Sequence, residues 1–261
     1  MFQFRHDAGP MLDFLRRYLA DPYWDHAIQV LPFVAALGDR AELPFWPNGE
    51  ISDAVFRHLC WSLSEWSAFR GAGTLDEKKA RLHDQLPAFL RDVQTAAPAA
   101  RLSAVPEARV AQLAEDWIAA FDALRVKESA SHVLPSKAAH LLLPTLVPAY
   151  DQQVIAGQVL PAVLPRRAGR NFQTYVQLCW WVLDQLCREG SLDSAAALVR
   201  DHLAADWLVR SLGATRPDPT SFVARSLDSL VAEYTLIGMW KLQDEKHPDA
   251  RRREPLVAPA W

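Results

Sequence analysis

Apolar residues recur at intervals of three and four along most of this chain, the spacing that lines one side of an α-helix, and no segment alternates convincingly as a strand would. In DAVFRHLCWSLSEW, residues 53–66, the positions Val55, Phe56, Leu59, Cys60, Leu63 and Trp66 share a face. Helix-breaking and capping residues divide the pattern into elements. Residues 10–20 read as a short helix beginning on Pro10, and 23–38 as a second, kinked at Pro32 and ended by Gly38. ELPFWPNGE, 42–50, reads as a loop, after which Asn48 or Ser52 caps a helix reaching about Arg70 and stopped by GAG at 71–73.

Thr74 and Glu77 form a capping box for the charged helix TLDEKKARLHDQL. An alanine- and proline-rich connector, 96–108, leads to a helix opened by Ser103 or Pro106. NFQTYVQLCWWVLDQLCR, 171–188, is a strongly apolar helix stopped at Gly190, and Ser191 or Asp193 caps a further helix toward Gly213. A last helix covers about 220–243. The expectation is therefore an all-α, compact multi-helix domain of about nine or ten helices, without an internal repeat. The connector marks a seam between an N-terminal helical part, 1–95, and a central and C-terminal part, 96–245, which can share one core. Residues 246–261 read as a flexible, basic, proline-rich tail whose RRRE is a solubilising run.

Composition narrows the class. Half of the 261 residues are hydrophobic, which provides for a real core and excludes a disordered chain. No apolar run approaches the ~18 residues that span a bilayer, so no membrane association is expected. The opening MFQFRHDAGP lacks the apolar stretch of a signal peptide, so a cytoplasmic location is expected. Cys60, Cys179 and Cys187 lie in apolar helical contexts and read as reduced, buried thiols, the last two both facing inward. The net charge of −3 does not advertise a nucleic-acid binder. Its distribution is uneven: residues 125–170 carry Arg125, Lys127, Lys137, Arg166, Arg167 and Arg170 against only Glu128 and Asp151.

The segment PSKAAHLLLPTLVPAYDQQV, 135–154, departs from the rest. Pro135 and Ser136 open a helix with Lys137 in its first turn, where the helix dipole disfavours a cation. Ala138, Ala139, Leu141, Leu142 and Leu143 make that helix apolar all round, hence buried, and Pro144 ends it. Leu146 and Val147 continue inward as an extended connection to Tyr150 and Asp151, and Asp151 is placed to cap the next helix. A misplaced cation and an isolated acid, each near a helix start, can converge on one cleft. Lys137 and Asp151 are the candidate catalytic pair; a plain cap and a solvated lysine, or a structural salt bridge, are the alternatives.

The order of hairpin loop, lysine, apolar helix and Pro-x-Tyr-Asp resembles the helix-hairpin-helix family of DNA glycosylases, through HVLPSKAAHLLL and LVPAYDQQV. It also resembles bacterial proteins of unassigned activity with a Ser-Lys-helix-Pro-x-x-x-Pro-x-Tyr-Asp pattern, here Ser136, Lys137, Pro144, Pro148, Tyr150 and Asp151. His132 and Leu134 stand where the glycosylase hairpin has glycines, and Leu134 would crowd a DNA phosphate. The resemblance implies a DNA partner and cleavage of the N-glycosidic bond of a flipped base. It assigns Asp151 to stabilise the oxocarbenium-like sugar, Lys137 to attack it and form a Schiff base, and Ser136, Tyr150, Arg166, Arg167 and Arg170 to the nucleic acid. A non-catalytic helical nucleic-acid binder and a protein-interaction scaffold are the competing classes.

Other motifs change little. Trp180 and Trp181 are adjacent on a helix and point about 100° apart, so at least one belongs to the core rather than to a base-stacking platform. Trp117 and Phe121 share a face and read as core, while Trp61 and Trp66 lie five apart. His140 reads as a core histidine, and neither it nor His132 has an acid at metal-ligand spacing, so no metal and no cofactor are expected. No H-E-x-x-H, C-x-x-C or G-x-S-x-G occurs.

Overall fold

A computed structural model describes residues 3–5, 9–22, 51–126, 131–164, 169–205, 227–246 and 258–260. Nine α-helices account for most of them: α1 (Met11–Ala20), α2 (Asp53–Glu65), α3 (Leu75–Ala96), α4 (Glu107–Ala123), α5 (Val133–Leu142), α6 (Leu160–Val163), α7 (Phe172–Arg188), α8 (Leu192–Ala205) and α9 (Asp228–Lys246). A 3₁₀ turn at Leu102–Ala104 lies in the connector, and a π-helix, Gln152–Val159, runs straight into α6. The only strands among the described residues are β1 (Gln3–Arg5) and β2 (Ala258–Ala260), a short antiparallel pair. The all-α expectation holds.

Helix α9 is the axis of the packing, buried without a break from Leu227 to Met239. Helices α1, α6, α7 and α8 and the π-helix all lie against it. Its contact with α1 is backbone-close: a Cβ on Gly238 would stand 1.9 Å from the Phe14 carbonyl oxygen, so only glycine fits. One turn away, Tyr18 stacks on Tyr234 with ring centroids 4.4 Å apart. The buried Asp228 anchors the connector to α9, accepting from Arg101 at 3.2 Å and from the Ser103 amide at 2.9 Å. Buried side chains form one continuous core from Met11 to Leu242, across the expected seam.

Local signals explain most boundaries. Ser52 caps α2, Thr74 and Glu77 form the capping box of α3, and Asn171 caps α7. Helix α3 continues past the charged segment, through Pro87, to Ala96. Helix α2 stops at Glu65, earlier than expected, in a Schellman motif: the Ser67 amide donates to Ser64 and the Ala68 amide to Leu63. Ser67 takes the left-handed conformation, φ +54°, that such motifs usually give to glycine.

Two expectations need correcting. Cys60 and Cys179 are buried, but Cys187 is exposed; eight residues advance a helix by about 80° beyond two turns, which carries it off the inward face. Helix α5 begins at Val133, not Pro135, so Lys137 stands inside the helix and not in its first turn. The expected elements over 23–38, 42–50 and 206–226, and the segment 247–257, lie outside the described residues.

Candidate functional site

The earlier start of α5 changes what Lys137 does. Two residues deeper in the helix than expected, its side chain is only 2% exposed and meets three acceptors of positive charge. The ammonium donates to Asp151 Oδ2 at 2.8 Å and to the Trp66 carbonyl at 3.2 Å, and lies 4.7 Å from the centre of the Trp66 ring. The Trp66 carbonyl belongs to the C-terminal end of α2, where the helix dipole favours a cation.

Asp151 is held as firmly. It is the N-cap of the π-helix, and its Oδ1 accepts from the Gln153 amide at 2.8 Å and the Val154 amide at 2.9 Å. One carboxylate oxygen therefore caps the helix while the other faces Lys137. The helix that follows is wound wide, with the Ala156 amide reaching the Asp151 carbonyl at 2.9 Å, five residues back.

The pair forms one wall of an open cavity of about 380 Å³. Glu65, Trp66, Ser67 and Arg70 supply the side from the end of α2, Ser131 and Val133 the entrance to α5, and Gln152, Gln153 and Val154 the side from the π-helix. The Arg70 guanidinium donates to Ser67 Oγ at 3.1 Å. Beneath this rim, the buried Lys78 ammonium donates to the carbonyls of Phe69 (2.8 Å) and Gly71 (2.7 Å), fixing the loop that carries Trp66 and Arg70.

Comparisons with family models, with curated proteins and with solved structures find no match to this chain. The geometry therefore carries the functional reading unaided.

Burial lowers the lysine's affinity for its proton, and Asp151, which raises it by charge and hydrogen bond, only partly offsets this; the result lies below the ordinary lysine value. For Asp151 burial works upward, but the Lys137 charge and the donors around the carboxylate outweigh it, so the acid sits below its usual range. Both partners thus move down. The asymmetry follows exposure, since the Asp151 side chain keeps 19% of its surface and Lys137 almost none.

The remaining predicted residues occupy other places. Ser136 is fully buried; its hydroxyl donates toward the Val133 and Tyr150 carbonyls and accepts from the Tyr150 amide at 3.2 Å, fastening the strand-like connection to α5. Tyr150 is buried against Phe172 and Tyr175, its hydroxyl donating to the Arg170 carbonyl at 3.1 Å. Neither lines the cavity. Arg170 is exposed, and Arg166 and Arg167 lie outside the described residues. Trp180 and Trp181 are both buried, Trp180 Nε1 donating to the Val105 carbonyl at 2.8 Å. Trp117 and Phe121 are core.

His140 is also buried. Its Nδ1 bonds the Val147 carbonyl at 2.8 Å while Nε2 has no hydrogen-bond partner among the described residues, and burial lowers its pKa to about 4, so it is a neutral core imidazole. Among the described residues no group of His, Cys, Asp and Glu is arranged to hold a metal ion, and no helix is long and apolar enough to cross a membrane.

Sequence reasoning did not place Trp66 and Arg70 in the site. The available signal was their position: both flank the serine that takes a glycine conformation between α2 and the GAG turn. It also passed over Glu233, the one acid in the otherwise uncharged SLVAEYTLIGMW, 229–240.

Proposed function

We propose that this protein cleaves the N-glycosidic bond of a damaged or modified base flipped out of DNA, with Lys137 and Asp151 at the reacting carbon. The observation that carries the reading is the 2.8 Å Lys137–Asp151 pair on the wall of a cavity of about 380 Å³. That volume falls within the range of small-molecule sites.

The roles follow from the chemistry. Asp151, ionised and aimed by two backbone amides, stabilises positive charge on the sugar as the bond to the base lengthens. Lys137, made less basic by burial, gives up its proton more readily than an exposed lysine and is the nucleophilic amine. Its Nζ bonds to the sugar carbon as the carbon–base bond breaks, and the proton released from the new ammonium passes to the departing base. Ring opening then gives a Schiff base, which water hydrolyses or which eliminates the 3′ phosphate. Arg70 at the rim and the exposed Arg170 are the phosphate contacts. Three locally unfavourable features support a functional reading: a buried lysine, a left-handed serine and a π-helix converge on this cavity.

The test is borohydride trapping on duplexes carrying a panel of damaged and modified bases. A covalent adduct is expected with the native chain and none with Lys137→Ala; Asp151→Asn slows base release. Absence of both adduct and base release across the panel overturns the reading. The near-complete burial of Lys137 favours a second one, a structural clasp joining α2, α5 and the π-helix. In that case the substitutions change stability alone.

A further inference from the structure

Schiff-base chemistry at Lys137 moves protons at every stage: off the ammonium, onto the departing group, and off the water that hydrolyses the product. Four of the side chains lining the cavity carry charge: Glu65, Arg70, Lys137 and Asp151. Arginine does not give up its proton. Asp151 is fully engaged, with Oδ1 on two backbone amides and Oδ2 on Lys137. Burial pushes its carboxyl up, but the Lys137 charge and these donors outweigh that and hold it below the usual range. Glu65 is the acid that remains.

Its place in the chain brings it to the lysine. Glu65 ends α2 and immediately precedes Trp66, whose carbonyl accepts from the Lys137 ammonium at 3.2 Å and whose ring centre lies 4.7 Å from it. The position is a poor one for an anion, because the carbonyl end of a helix dipole repels it. Among the described residues no hydrogen bond or ion pair engages the Glu65 carboxylate, and Arg70, in the same cavity, donates to Ser67. An exposed acid without a partner, at the wrong end of its helix, does little for the fold. Facing the cavity of the lysine, it is free to take a proton and return it.

We propose that Glu65 is the general acid–base of the cavity, exchanging protons with Lys137 and with the groups that leave and enter at the reacting carbon. The assignment rests on the nucleophilic role proposed above for Lys137. The carboxylate takes one proton from the Lys137 ammonium, directly or through one water, and leaves the nitrogen lone pair free to attack. As that pair forms the carbon–nitrogen bond, the carbon–base bond breaks with its electrons on the base. The Glu65 carboxyl gives its proton to the base and collects the one that the new ammonium releases. In hydrolysis of the protonated Schiff base, water adds to the carbon and yields a proton to Glu65, which passes it to the nitrogen. The hydroxyl proton follows the same route as the carbon–nitrogen bond breaks, leaving an aldehyde and the lysine ammonium.

The experiment is reductive labelling of the full chain with acetaldehyde and cyanoborohydride at neutral pH, ethylation of each lysine being counted by peptide mass spectrometry. Formation of the Schiff base needs an acid to expel water from the carbinolamine. In Glu65→Gln, labelling of Lys137 falls about a hundredfold, the lower end of what a positioned acid or base contributes, while Lys79 reacts as before. Glu65→Asp recovers part of the rate, and formate added to Glu65→Ala recovers it with rising concentration. Equal rates in the native chain and Glu65→Gln overturn the proposal. So does a loss that formate leaves untouched, or a native chain whose Lys137 takes up no label. The duplex panel is scored separately: without adduct or base release there, the DNA reading falls while Glu65-dependent labelling of Lys137 stands, and the converse result removes Glu65 alone.

Discussion

Lys137 and Asp151 meet where two helix ends of opposite polarity face each other. The lysine sits at the carbonyl end of α2, 3.2 Å from the Trp66 oxygen, and the aspartate at the amide end of the π-helix, with 2.8 Å between the charges. Each helix stabilises the ion it receives. The pair is therefore oriented by backbone, which is the pre-organisation a charge-stabilising site requires.

Breaking the pair from either side is expected to be costly. Asp151→Asn removes the charge partner of a nearly buried ammonium and should lower stability by about 3 kcal/mol. Lys137→Met combined with Asp151→Asn should cost clearly less than the sum of the single changes, because no ion is then left alone. Urea denaturation of the four proteins measures this; simple additivity would show the two residues to be energetically independent.

The stability profile with pH follows from two buried groups with opposite signs. His140 binds its proton less readily when folded, at about 4 against 6.5, so it contributes stability that is lost as pH falls from 6.5 toward 4. Glu233 binds its proton more readily when folded, at about 8 against 4.5, so it contributes stability that is lost as pH rises from 4.5 toward 8. Between 4.5 and 6.5 the slopes cancel, and above 6.5 the glutamate alone is felt. Glu233→Gln should remove the decline toward pH 8 and expose a rise over 4 to 6.5. His140→Asn should do the reverse, leaving a continuous fall from 4.5 upward. Thermal melts across pH 4 to 8 check both.

Ser67→Gly should stabilise the fold by about 1 kcal/mol, since glycine adopts the left-handed conformation without strain. It also removes the hydroxyl that holds Arg70. Weaker binding of nucleotide phosphate together with a higher melting temperature is the expected result, a trade of stability for a placed cation. Isothermal titration with an abasic-site duplex, set beside the melt, reads both halves.

Gly238→Ala should destabilise by about 3 kcal/mol or more, because the added methyl must push apart α1 and α9 at a backbone contact. Limited proteolysis should then release the segment containing α1 first. A neutral substitution here would mean that α1 is not seated on α9.

Much of the architecture was legible because its signals are local. Ser52, Thr74 with Glu77, and Asp151 all cap the helices that follow them, as short-range hydrogen bonding dictates. The convergence of Lys137 and Asp151 was expected from two neighbouring helix starts, whereas Lys137 stands inside α5 and meets Asp151 at the cap of the following π-helix. What was not legible depends on partners distant in the chain. Trp66 reaches Lys137 across 71 positions, and no periodicity encodes such an encounter. The inward expectation for Cys187 failed on a smaller matter, the 80° by which eight residues overshoot two turns. The π-helix escaped notice because QQVIAGQV has the residue types of an ordinary helix.

That wide turn has a consequence for ancestry. A helix wound five residues back instead of four holds one residue more than its span requires. A cousin of this chain lacking any single residue between 152 and 159 would keep the capping acid and the buried exit into α6. Its cavity floor, though, would be turned by about 100°, bringing other side chains than Gln152, Gln153 and Val154 before the lysine. One codon gained or lost here could thus exchange the specificity of the hollow while leaving its charged pair untouched.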